Sequence, residues 1–131
     1  MTRYYDVKGR AKDILDETLD REAVIVLRRI SEEMHMIFTA HPDPTAAKAR
    51  EIVSGFFLEN GKSEDFINDW LLTSEEYSRA RGVAERDRPK AILSDLGVFR
   101  FMSFLKDKGL TDEQITIVLT GAVQQATADG L

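Results

Sequence analysis

Ten residues near the C-terminus constrain the fold more than any other stretch: Leu96-Gly97-Val98-Phe99-Arg100-Phe101-Met102-Ser103-Phe104-Leu105. Only Gly97, Arg100 and Ser103 interrupt the apolar run. A helix that is hydrophobic on almost every side must be buried, inside its own domain or against another chain. The run belongs to an arm, Leu96 to Ala128, that reads as two helices joined by the turn Lys108-Gly109-Leu110-Thr111. In the second helix Ile115, Val118, Leu119, Ala122, Val123 and Ala126 form one stripe. Thr111 and Gln114 open it with a capping-box spacing, in which each side chain bonds the other's backbone N–H. This arm is the expected packing centre and the expected dimer surface. Its interface candidates are Phe99, Phe101, Met102 and Phe104 on the first helix, and Ile115, Val118, Leu119 and Ala122 on the second.

Helical spacing runs through the rest of the chain, with almost no strand-like alternation. A short polar segment, about Val7 to Leu19, is expected to be loosely held, with residues 1–8 a loose N-terminus. A second begins with Asp20 as N-cap and carries Ala23, Leu27, Ile30, Met34 and Ile37 at heptad-like spacing. Pro42 and Pro44 separate it from a third, capped by Asp43, with Ala49, Ile52, Val53 and Phe56 on its buried face and Asn60-Gly61 as its stop. Ser63 opens a fourth helix around Phe66, Ile67, Trp70 and Leu71. Thr73 or Ser74 is read as capping a fifth, carrying Tyr77, Ala80 and Ala84, with a break near Pro89. Lys90 to Ser94 is read as a short turn before Asp95 caps the sixth helix, the apolar one. The expected fold is a single all-α domain over residues 1–131, a compact bundle of about six to seven helices ending in a helical hairpin.

Several functions are disfavoured on chemistry. The chain has no cysteine, so disulfides, thiolate catalysis and cysteine-held metals are out. Two histidines, no Gly-x-Ser-x-Gly elbow and no glycine-rich phosphate loop leave no motif for an enzyme. No cofactor is expected. No apolar run approaches the ~20 residues that span a bilayer, and the N-terminus is not a signal peptide, so a soluble cytoplasmic protein with no membrane partner is expected. A net charge of −5 disfavours general nucleic-acid binding. The turn at Gly109 suggests a helix-turn-helix. Its second helix carries Asp112 and Glu113 at the end that would enter a groove, and no Lys or Arg, so that reading fails.

Two polar features remain. Glu32 and His35 stand three apart, as in the Glu-x-x-His ligand pairs of di-iron bundles. They form a weak metal candidate, because Glu32 lies opposite the apolar seam and no second pair exists. The second feature is Arg79, Arg81, Arg86, Arg88 and Lys90, five basic residues against Glu85 and Asp87, following an acidic stretch from Glu59 to Glu76. Arginines suit carboxylate pairing and interfaces, which makes this a partner- or anion-binding candidate. A solvated face of alternating charge accounts for the same residues. The expected function is a small regulatory or adaptor protein that binds other proteins as a homodimer. The alternatives are a small-molecule sensor or carrier with an apolar pocket lined by Phe and Met, and a nucleic-acid-associated factor using Arg79 to Lys90.

Overall fold

A computed structural model describes residues 15–119, and among these residues every regular element is helical. Helix α1 spans Glu17–Ala40, α2 Ala46–Glu59, α3 Glu64–Ala80 and α4 Arg88–Asp107. A 3-10 turn, Glu85–Asp87, leads into α4, and α5 covers 112–119 as far as it is described. Among the described residues these elements are fewer and longer than the six to seven segments expected, the first of which, about Val7 to Leu19, lies mostly outside the described residues. The described parts fall into two compact units, residues 15–29 with 100–119, and 30–99.

The helix ends follow local chemistry. Asp16 caps α1, accepting from the Leu19 N–H at 2.7 Å, so Asp20 sits in the first turn and is not the cap. Thr45, not Asp43, caps α2 by accepting from the Lys48 N–H at 3.1 Å. Ser63 caps α3 through the Phe66 N–H at 3.1 Å, as its sequence position indicates. Gly61 takes φ 75° past the end of α2, and the Lys62 N–H reaches back to the Phe57 carbonyl at 2.9 Å. That pairing satisfies a carbonyl the helix itself leaves open. The capping box of α5 forms in full: the Thr111 N–H donates to Gln114 Oε1 at 2.9 Å, and the Gln114 N–H to Thr111 Oγ1 at 3.2 Å.

One surface pair at the start of α2 has a pH consequence. The Lys48 ammonium lies 2.9 Å from the Glu51 carboxylate. This hydrogen bond and the lysine charge hold the Glu51 carboxyl below its ordinary value. The charge of His41 adds to the effect, and desolvation opposes it. A carboxylate with a depressed folded value stabilises the fold above its unfolded pKa, and that contribution is lost as pH falls through the folded value. The pair is exposed, so little stability rides on it. Lys48→Met is expected to return Glu51 to the usual carboxylate range in an NMR titration. An unchanged titration would assign the effect to His41 instead.

Two expected breaks are absent. Ser74 lies inside α3, and Asp95 inside α4. Read as helix caps, they instead bond each other: the Ser74 hydroxyl donates to Asp95 Oδ2 at 2.7 Å. A cap and a buried tertiary hydrogen bond recruit the same residue types, because both need a short side chain with an accepting oxygen. Pro89 begins a helix rather than ending one. It occupies the first turn of α4, where its missing N–H removes no helical bond. Gly82 at φ 79° turns the chain after Ala80, so Ala84 lies outside α3.

In the unit 30–99 the buried apolar side chains are Ile30, Met34, Ala49, Val53, Phe57, Ile67, Leu71, Leu93 and Leu96. Phe57 sits among four edge-on rings, those of Phe56, Phe66, Trp70 and Phe99, at centroid distances of 5.1 to 5.4 Å. Gly97 lets α4 approach α1 closely: a Cβ there would stand 3.3 Å from Met34 Cγ. Leu27 does not join the expected seam and is exposed, while Ala23, Ile30 and Met34 are buried.

In the other unit Leu15, Ala23, Phe101, Leu105, Leu110, Ile115 and Val118 are buried. The Phe101 and Phe104 rings stack at 6.3 Å, and Lys108 bridges to Glu22 at 2.9 Å. The hairpin foreseen at Gly109 is present: that residue takes φ 92° between α4 and α5. Three of the interface candidates, Phe101, Ile115 and Val118, are buried within the chain and have no surface to offer a partner. Phe99, Phe104 and Leu119 are half-buried and Met102 is exposed. Ala122 lies outside the described residues. The apolar helix is not covered all round, since Val98 and Met102, one turn apart, remain exposed.

Candidate functional site

The basic residues between Arg79 and Lys90 do not form one patch. Arg79 and Arg86 share a face only if one helix runs through both, and the turn at Gly82 breaks that register. Arg81 lies over the Tyr77 ring at 4.2 Å and reaches Asp95 at 3.5 Å. Lys90 lies 5.4 Å from the Phe38 ring centroid, and Arg86 is exposed in the 3-10 turn. Arg79 and Arg88 converge, and Arg50 from α2 joins them.

These three arginines line a groove of about 270 Å³ that lies wholly within residues 30–99. The first turn of α2 contributes Ala46, Ala49 and Arg50, where two small side chains leave space beside a long one. Leu71, Glu75 and Arg79 stand at intervals of four along α3 and so share a face. Glu85 from the 3-10 turn and Arg88, Pro89 and Ile92 from the start of α4 complete the wall.

The charges are unequally matched. Arg79 is paired with Glu75 at 2.7 Å, on the same helix and four residues apart. Arg50 donates to the side-chain oxygen of Asn68, a neutral partner that leaves its charge uncompensated. The Nε of Arg88 is fully enclosed and has no hydrogen-bond partner. A guanidinium N–H withdrawn from water and left unpaired costs on the order of 1–3 kcal/mol. The groove therefore sets three guanidiniums against two carboxylates, above an apolar floor from Leu71, Pro89 and Ile92. Neither Phe nor Met lines it, so it differs from the pocket expected for an apolar carrier.

Sequence reading missed Arg50, which stands far upstream in a helix defined by its apolar stripe. The one local sign is its position beside Ala46 and Ala49. The metal candidates fare differently. Glu32 and His35 are both exposed on α1, and no group of three or more potential metal ligands occurs among the described residues. No helix among the described residues is long and apolar enough to cross a membrane. A scan against protein-family models, a search of curated proteins and a search of solved structures find no match to this chain.

Proposed function

We propose that this chain is a small helical interaction protein, regulatory or adaptor in role, that acts as a homodimer paired through α1. The observation that carries this reading is a self-complementary exposed face on that single helix. Ile25 is 58% exposed and Met36 69%. Arg29 and Glu32 are exposed between them, and neither has a partner among the described residues. At about 100° per residue these four side chains fall within an arc of roughly 60°. Both pairs are centred on the same point, between Ile30 and Ser31. An antiparallel second copy related by a two-fold axis through that point sets Ile25 against Met36 and Arg29 against Glu32, twice over. Isologous interfaces require this self-match, and two-fold dimers are the commonest closed assemblies.

Sedimentation equilibrium tests the reading. The full chain is expected to dimerise at micromolar concentration. Arg29→Glu places like charges opposite each other and is expected to weaken the dimer by roughly tenfold or more. Glu32→Arg is expected to do the same, and the two changes combined should restore association. A wild-type monomer at 100 µM (about the upper working range), or a double reversal weaker than either single, ends the proposal.

The arginine-lined groove favours a second reading, a small-molecule sensor or carrier. A nucleic-acid role for Arg79 to Lys90 loses support, because its basic residues are dispersed among separate partners.

A further inference from the structure

We infer that the groove between α2, α3 and the start of α4 binds a small organic monocarboxylate, with Arg88 as its principal contact. The inference rests on the sensor-or-carrier reading and gives it a ligand class. Four observations carry it. First, the groove is a cavity of about 270 Å³, just below the roughly 300–1,000 Å³ of drug-sized ligand pockets, which suits a small ligand. Second, its guanidiniums exceed its carboxylates by one charge, which matches a monoanion better than a phosphoryl dianion. Third, Leu71, Pro89 and Ile92 offer an apolar surface for a non-polar body next to that charge. Fourth, the Arg88 Nε–H is an unspent donor.

The arginines differ in what they can give. Arg79 is committed to Glu75, and Arg50 to Asn68. Arg88 has no such bond, and Glu85, three residues before it, lines the same groove without bonding to it. Its Nε is shut away from solvent. The Nε–H and a neighbouring Nη–H together form the fork that matches the two oxygens of a carboxylate. Binding then removes the cost of the unpaired donor, a gain available only to a ligand that accepts hydrogen bonds. The first turn of α2, at Ala46 and Ala49, brings the positive end of a helix dipole to the same wall and favours an anion there.

The test is a titration of the full chain with benzoate at fixed ionic strength, followed by ¹H–¹⁵N shifts, including the arginine Nε–H signals. Inorganic phosphate and benzyl alcohol are run in parallel. Benzoate is expected to saturate, with shifts confined to residues 46–50, Arg79 and 88–92, and with a moved, protected Arg88 Nε–H. Arg88→Met keeps the apolar stem and is expected to weaken benzoate binding by roughly tenfold or more. Arg86→Met, outside the groove, should leave it unchanged. If Arg88→Met does not fold, Arg79→Gln reads the same site and is expected to weaken binding. Tighter saturation of these resonances by phosphate overturns the monocarboxylate and leaves the sensor-or-carrier reading standing. Equal binding of benzyl alcohol, or undiminished binding by Arg88→Met, likewise overturns it. No saturable shift with any of the three probes overturns both.

Discussion

Phe57→Ala is expected to destabilise the protein by about 4 kcal/mol, the largest loss of any single substitution considered. The side chain is 1% exposed and four other rings meet it edge-on. Removing it forfeits the transfer energy of a phenyl group and the edge-to-face contacts, which are worth up to ~1 kcal/mol each beyond burial. It also leaves a cavity walled by aromatic groups and by a helix backbone that cannot close in fully. For a chain of this size that loss lowers the melting temperature by roughly 10–20 °C. Urea melts of wild type and variant check it. Phe56→Ala is the useful comparison, because Phe56 touches the same cluster but is only half-buried, and its loss should be clearly smaller. Equal losses at the two positions would mean that Phe57 is not the centre of the cluster.

Asp95→Ala is expected to cost about 2 kcal/mol by a different route. Its carboxylate accepts from the Ser74 hydroxyl at 2.7 Å and lies 3.5 Å from the Arg81 guanidinium. Ser74 is 6% exposed, so the hydroxyl has little access to water once its partner is gone. It can fall back on a carbonyl of its own helix, as Ser78 does to Glu75. That fallback limits the loss. Arg81 retains the face of Tyr77 and solvent, so it adds little. Asp95→Asn keeps an accepting oxygen and should recover about half of the effect. A double-mutant cycle with Ser74→Ala isolates the pair. A coupling near zero would show that the two helices are held there by apolar packing alone.

This hydrogen bond also shows where sequence reasoning stops. Ser74 and Asp95 carry a strong local signal for helix starts, and that signal splits α3 and α4 into extra segments. The residues use the same hydrogen-bonding ability across the tertiary structure, 21 positions apart. Local pattern cannot separate the two uses, because only the partner's position distinguishes them. The same limit hides the groove. Arg79 and Arg88 are visible as basic residues in a short stretch, but their convergence depends on the turn at Gly82 and on Arg50 arriving from another helix. Arg81 and Lys90 look equivalent to them in sequence, yet they pack on Tyr77 and Phe38.

Burial shows a parallel division. The apolar run in α4 demands burial, and Leu96, Phe101 and Leu105 obtain it inside the chain. Val98 and Met102 do not, and the run by itself gives no hint of which side stays open. On α1 the exposed face holding Ile25, Arg29, Glu32 and Met36 lies across the helix from the buried line of Ala23, Ile30 and Met34. Its self-complementary order is written in the sequence, but it becomes meaningful only once burial shows that the face is free.

By itself the sequence determined the all-helical class, the stops at Gly61 and Gly109, the cap at Ser63 and the reciprocal cap at Thr111 and Gln114. Each of these is settled within a few residues, by backbone conformation or by a side chain reaching its own helix end. Tertiary structure alone decided that Ser74 and Asp95 join helices rather than start them, and that Phe57 rather than the Leu96–Leu105 run centres the aromatic cluster. It also decided that Arg50, Arg79 and Arg88 share one groove. Those outcomes depend on which distant helices meet, and the free energy of such meetings is spread over many weak contacts that no short stretch of sequence contains.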